Sequence, residues 1–129
     1  MQKNDMLPAS SLAHLEGVHP DLVAVVHLAA KLSPTPFIIT EGLRTEQRQR
    51  ELFAKGASRT MKSRHLTGHA IDFAPVVAGK VTWKWPAFHP IAAAFKQAAK
   101  ELKVRIVWGG DWRTFKDGPH IELDRKAYP

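Results

Sequence analysis

The sequence predicts an α+β fold, a small and mostly antiparallel sheet with helices packed on one side. Three observations carry that expectation. Two segments, beginning near Pro20 and Pro90, place apolar residues at helical spacing. Short runs at 37–40, 70–74, 104–108 and 119–123 read as strands, with a hairpin signal at 76–83. The length of 129 residues, 44% hydrophobic and 24% charged, suits one compact core and excludes global disorder or a fibrous repeat.

Pro20 suits the first helical position after His19, and Leu22, Val23, Val25, Val26, Leu28, Ala29 and Leu32 cover a broad apolar face that Ser33 and Pro34 terminate. This helix is expected to be largely buried. Phe37-Ile38-Ile39-Thr40 reads as a strand entering the loop Glu41-Gly42-Leu43-Arg44, which puts Arg44 at a strand end. Thr45 caps the next helix, Leu52 and Phe53 pack inward, Glu46, Arg48, Arg50 and Glu51 face water, and Gly56 closes it. Residues 57–68 form a basic, polar loop.

In Ala70-Ile71-Asp72-Phe73-Ala74, strand alternation puts Ile71 and Phe73 on one face and Asp72 on the other. A hairpin turns around Ala78-Gly79-Lys80. Pro90 starts a helix with Ile91, Phe95, Ala98 and Leu102 inward and Lys96, Lys100 and Glu101 in water. Residues 104–108 form a strand, Gly109-Gly110 a loop, and 119–123 the last strand.

Nineteen Lys and Arg against twelve Asp and Glu give a net charge of +7. The cations are scattered (Arg44, Arg48, Arg50, Lys55, Arg59, Lys62, Arg64, Lys80, Lys84, Lys116), and the field they make attracts nucleic acid, anionic lipid or an acidic wall polymer without choosing among them. Basic strands interleaved with aromatics, as on a nucleic-acid platform, are not evident, so nucleic acid is not the expected partner. With no cysteine, disulfides and thiolate cages are excluded, and a metal must be held by His, Asp and Glu. Residues 1–16 lack the basic start and apolar core of a signal peptide. The apolar stretch Leu22–Leu32, broken by His27 and Lys31, is far shorter than the ~20 residues of a membrane span.

Seven histidines separate by their neighbours. His19 and His89 precede prolines and read as surface or capping residues, and His14 and His27 have no polar company. His65 and His120 lie beside glycine-containing loops and carboxylates, in Ser63-Arg64-His65-Leu66-Thr67-Gly68-His69-Ala70-Ile71-Asp72 and Asp117-Gly118-Pro119-His120. Two imidazoles and one carboxylate leave zinc a fourth position for water, whose pKa falls from ~15.7 toward ~7. His65 and His69 are spaced i, i+4, but Gly68 intervenes and Leu66 stands where a helical His-Glu-x-x-His site needs glutamate. His65, Asp72 and His120 are therefore the preferred ligands, with His69 the main alternative and exposed histidines beside a solvated Asp72 the plain reading. Asp117 is the candidate general base and Glu122 the reserve. Arg44 is the candidate for stabilising an oxyanion.

Glu41-Gly42-Leu43-Arg44-Thr45, Ser63-x-His65-x-x-Gly68-x-Ala70-x-Asp72, and Trp108-Gly109-Gly110-Asp111-Trp112 with Asp117-x-x-His120 together resemble the zinc peptidases that include the D-alanyl-D-alanine carboxypeptidases and dipeptidases. The nearest resemblance, over about residues 19–123, is to phage L-alanyl-D-glutamate peptidase endolysins. It implies zinc on His65, Asp72 and His120, Asp117 as catalytic acid/base where wider relatives often carry Glu, and Arg44 on the substrate carbonyl. Ser63 is expected to support the ligands, and Trp108 and Trp112 either anchor loops or wall the cleft. The implied substrate is the peptidoglycan stem peptide, cut between L-Ala and D-Glu. A D,D- or L,D-carboxypeptidase, or a basic binding module without catalysis, are the rival readings. The resemblance further implies one catalytic domain over 1–129 without a separate wall-binding domain, working as a monomer. Such a lysin waits in the host cytoplasm until a holin admits it to the periplasm and wall, and its charge draws it to anionic wall or outer-membrane surface.

Overall fold

The structure, a computed structural model, describes residues 7–58 and 60–129. The first six residues of the leader reading, and Arg59 among the scattered cations, lie outside them. The helices are α1 (Ala9–His14), α2 (Pro20–Leu32), α3 (Glu46–Ala54) and α4 (Trp85–Leu102). The strands are β1 (Phe37–Glu41), β2 (Ala70–Val77), β3 (Lys80–Val81), β4 (Ile106–Trp108) and β5 (His120–Leu123). Two 3-10 turns span Arg64–Thr67 and Gly109–Asp111.

The sheet runs β1-β2-β5-β4 with β3 on β2, and each pairing is antiparallel. Alternation sends Phe37 and Ile39, Ile71 and Phe73, and Ile121 and Leu123 into one core with Leu22, Val25 and Val26 of α2 and Ile91, Phe95 and Ala98 of α4. Phe73 sits at its centre, its ring 5.9, 5.6 and 5.2 Å from those of Phe37, Phe88 and Phe95. The same alternation leaves Asp72, His120 and Glu122 on the opposite face. The α+β expectation therefore holds, and with it the face that carries the polar groups.

Local chemistry explains the element ends. The His19 ring accepts from the Asp21 amide and caps α2, and the Thr45 hydroxyl accepts from the Arg48 amide at the start of α3. Ala78 and Gly79, both at positive φ, make the two-residue turn between β2 and β3. His14 is exposed and His27 half-buried.

Several expectations are corrected. The last helix begins at Trp85 and Pro90 lies inside it, because Pro86 occupies the first turn, where an amide has no partner to lose. Phe88, 2% exposed, buries roughly 2 kcal/mol of aromatic surface against Phe73, which offsets the hydrogen bond missing at Pro90. His89 consequently sits within α4 rather than before it, exposed as expected. Leu102 is exposed, and β4 starts at Ile106 rather than 104, for one reason. Lys103 turns left-handed, the Val104 amide bonds back to the Ala99 carbonyl at 2.9 Å, and Val104 packs on the core in place of Leu102. In α3 Phe53 is exposed and Leu52 only half-buried; Gln49 takes the inward position. A short helix, α1, precedes α2 unannounced, and its buried Ser11 accepts from the Ile39 amide of the edge strand β1.

Candidate metal centre and catalytic cleft

Asp72 and His120 are direct cross-strand partners on β2 and β5, so the pleat aims both side chains to the same side. His65 reaches them from the 3-10 turn. The Ser63 hydroxyl caps that turn by accepting from the His65 amide at 3.1 Å. Gly68 ends it at φ +76°, where an added Cβ would meet the Gly17 carbonyl oxygen at 2.5 Å.

His65 Nε2 lies 3.2 Å and His120 Nδ1 3.4 Å from the same oxygen, Oδ1 of Asp72. The three ligand atoms all fall within 4.8 Å of one another. Their protons are fixed from behind. His65 Nδ1 is 2.9 Å from the Gly42 carbonyl, and His120 Nε2 is 2.8 Å from the Glu122 carboxylate. Both partners only accept, so each ring donates outward and turns its lone pair on Asp72. With both rings neutral, two lone pairs and a carboxylate oxygen face one point with no proton among them, an arrangement suited to a cation. The two nitrogen–oxygen separations match the about 3.3 Å between ligands bonded at about 2.0–2.1 Å with tetrahedral angles. The donor set therefore fits zinc.

Without a metal the same geometry recruits protons. Burial alone would lower the pKa of His120, but its hydrogen bonds to Asp72 and Glu122 outweigh that and push it up to about 9. Burial would raise Asp72, yet the two histidines hold it well below the ordinary carboxylate range. Glu122 is lowered likewise: hydrogen bonding to His120 overcomes burial.

These groups open on a cleft of about 900 Å³ that Arg44, Ser63, Trp112 and Asp117 also line. Asp117 stands outside the ligand group, on a turn in which its amide donates to the Gly109 carbonyl and its carbonyl accepts from the His120 amide. Burial first, and then the negative charge of Asp72, raise its pKa. Arg44 is 9% exposed and doubly bonded to Glu41, Nε and Nη2 donating at 2.7 and 2.6 Å. Its Nη1 donates to Gln49 at 2.7 Å, and its Nη2 lies 4.0 Å from Asp72 Oδ2. The guanidinium is thus fixed beside the triad with N–H groups to spare.

Sequence reasoning left His69 and the two tryptophans with alternative readings. His69, the alternative ligand, lies outside the triad with Nδ1 on the Thr67 hydroxyl, as its strand parity implies. Trp108 does not wall the cleft: it is 4% exposed, stacks on Trp85, and donates its indole N–H to the Gly118 carbonyl at 2.7 Å, anchoring the turn behind Asp117. Trp112 does line the cleft, its ring 5.2 Å from that of His120. Ser63 acts on the backbone of His65 rather than on its ring.

The model of the family "Phage L-alanyl-D-glutamate peptidase" matches residues 5–128. The chain belongs to the phage L-alanyl-D-glutamate peptidase family. It is 40% identical over 123 residues to the L-alanyl-D-glutamate peptidase of Escherichia phage T5, covering 92% of this chain and 89% of that one. It is 32% identical over 99 residues to the peptidoglycan L-alanyl-D-glutamate endopeptidase CwlK of Bacillus subtilis (strain 168), covering 67% and 59%. A crystal structure of the Serratia marcescens L-Ala D-Glu endopeptidase ChiX superposes with a TM-score of 0.91 at 48% identity, over 97% of this chain and 95% of that chain. In this phage-type peptidase two contributors to the cleft went unread in the sequence, Glu41 and Gln49. Glu41 shares parity with Phe37 and Ile39 and should point to the core. A bulge between Ile39 and Glu41 shifts the register, pairs Glu41 with Asp72, and turns it to the cleft.

Proposed function

We propose that this chain is an endolysin-type, zinc-dependent peptidoglycan hydrolase that cuts the stem peptide between L-Ala and D-Glu. The observation that carries the metal assignment is the convergence of two imidazole lone pairs and one carboxylate oxygen on a single point. The names of the phage T5 and Serratia relatives support the bond.

His65, Asp72 and His120 would hold the zinc, with Gly42 and Glu122 fixing the two rings from behind. Bound there, zinc supplies Lewis acidity, which makes water nucleophilic at neutral pH and polarises a carbonyl. Asp117, with its carboxyl raised by burial and by Asp72, accepts the proton of the attacking water and returns it to the departing D-Glu amine. Water oxygen joins the L-Ala carbonyl carbon, the C–N bond breaks, and the amine leaves protonated. Arg44, braced by Glu41 and Gln49, presents its free N–H groups to the carbonyl oxygen as negative charge develops, with no reorganisation needed. Trp112 screens the His120 side of the cleft from water.

Mass spectrometry of muropeptides after digestion, with and without a chelator, tests this. The expected products carry a new N-terminal D-Glu and vanish on chelation. Released free D-Ala would assign the chain to carboxypeptidases instead.

A further inference from the structure

A second surface takes no part in the cleft. The β2–β3 hairpin and the start of α4 leave Val77, Val81, Trp83 and Trp85 between 42% and 61% exposed. Val77 and Val81 line a shallow groove of about 380 Å³ with Lys80 and Lys84, no acidic residue lines it, and Trp83 and Trp85 flank Lys84 in the chain. Exposed tryptophans and β-branched side chains in one patch are costly to leave in water and mark an interaction site.

The chemistry of the patch favours lipid over protein. Indole rings beside ammonium groups are the composition of a membrane interface, where tryptophan sits at headgroup level and lysine stems lie along apolar surface while their heads reach phosphate. The net charge of +7 adds long-range attraction to an anionic bilayer.

We propose that this hairpin patch docks the protein on anionic phospholipid bilayers, with Val81 and Trp83 at the acyl boundary and Lys80 and Lys84 on the phosphates. The readout needs no hydrolysis, so its failure is distinct from failure of the peptidase assignment. The zinc-loaded full chain is co-sedimented with phosphatidylglycerol/phosphatidylethanolamine vesicles and with phosphatidylcholine vesicles. The wild type is expected to bind the anionic vesicles and not the zwitterionic ones. Lys80→Gln with Lys84→Gln weakens binding about 30-fold, at ~1 kcal/mol per lysine. Trp83→Ser weakens it roughly tenfold. Arg48→Gln with Arg50→Gln, which removes the same charge from α3, weakens it far less, through the long-range field alone. Circular dichroism and unaltered muropeptide release verify that the hairpin variants are folded. Equal loss in the α3 variant, equal binding to both vesicle types, or no binding by the wild type overturns the proposal. So does a wild-type dimer in sedimentation that Trp83→Ser abolishes, which would assign the face to a second copy.

Discussion

At the scale of single residues, the proposed function divides the cleft into groups placed to hold a cation and groups placed to act around it. Asp117→Ala is expected to lower muropeptide release about 10²–10⁴-fold while metal content stays stoichiometric, because Asp117 stands outside the ligand triad. Gln49 is the residue whose loss spreads furthest. It is fully buried, accepts from Arg44, and donates to the Ser58 hydroxyl and the Thr60 carbonyl. Gln49→Leu keeps the volume and strips these bonds, so we expect a loss of about 1–3 kcal/mol in denaturant unfolding together with a reduced kcat as Arg44 loosens. The metal-free protein has its own pH signature. His120 is raised from 6.5 to about 9 on folding, so its contribution to stability is complete below pH 6.5 and disappears as pH climbs through 9. Zinc requires the unprotonated ring, so its affinity changes in the opposite sense across the same window. Melting temperatures of chelated and zinc-loaded protein between pH 6 and 9 should therefore diverge, with the chelated form falling.

At the scale of elements, backbone proximity matters as much as side-chain identity. A Cβ on Gly109 would stand 2.4 Å from the Asp117 carbonyl oxygen and 3.1 Å from the His120 Cβ. Gly109→Ala is thus expected to displace the turn that carries Asp117 and cut kcat at least about tenfold, since small misplacements of reacting groups are that costly. Steady-state kinetics alongside metal analysis would separate this from simple ligand loss. The legibility of the chain follows the same division. The parity of β2 and β5 was readable because alternation is local, and it put Asp72 on one face of β2 and paired Glu122 with His120. Glu41 was not, because one bulge inverts parity without leaving a mark in composition. Gln49 escaped notice because a polar residue on a helix is ordinarily a wet one, and only the tertiary placement of Arg44 makes it a buried bracket. The start of α4 was misread because a proline signals a first turn, and two prolines compete for that role.

At the scale of the whole molecule, the proposed metal centre joins segments far apart in the chain. Arg64, at the start of the turn bearing His65, donates to the Leu123 and Tyr128 carbonyls, and Tyr128 donates to Asp21, so the C-terminal segment is laced to both the site and α2. Because zinc would bind the folded state and not the open chain, loading at a free concentration 100-fold above Kd should raise Tm by roughly 10 °C in differential scanning calorimetry. Among the described residues no helix is long and apolar enough to cross a membrane.

The cross-strand pairing of Asp72 with His120 spans 48 positions of the chain. A polypeptide leaving the ribosome therefore possesses no working centre until His120 has emerged and β5 has zipped onto β2. On the proposed ligand set the protein stays chemically silent while it is being made, and regaining hydrolysis after denaturation is a direct clock for the closing of the β2–β5 pairing.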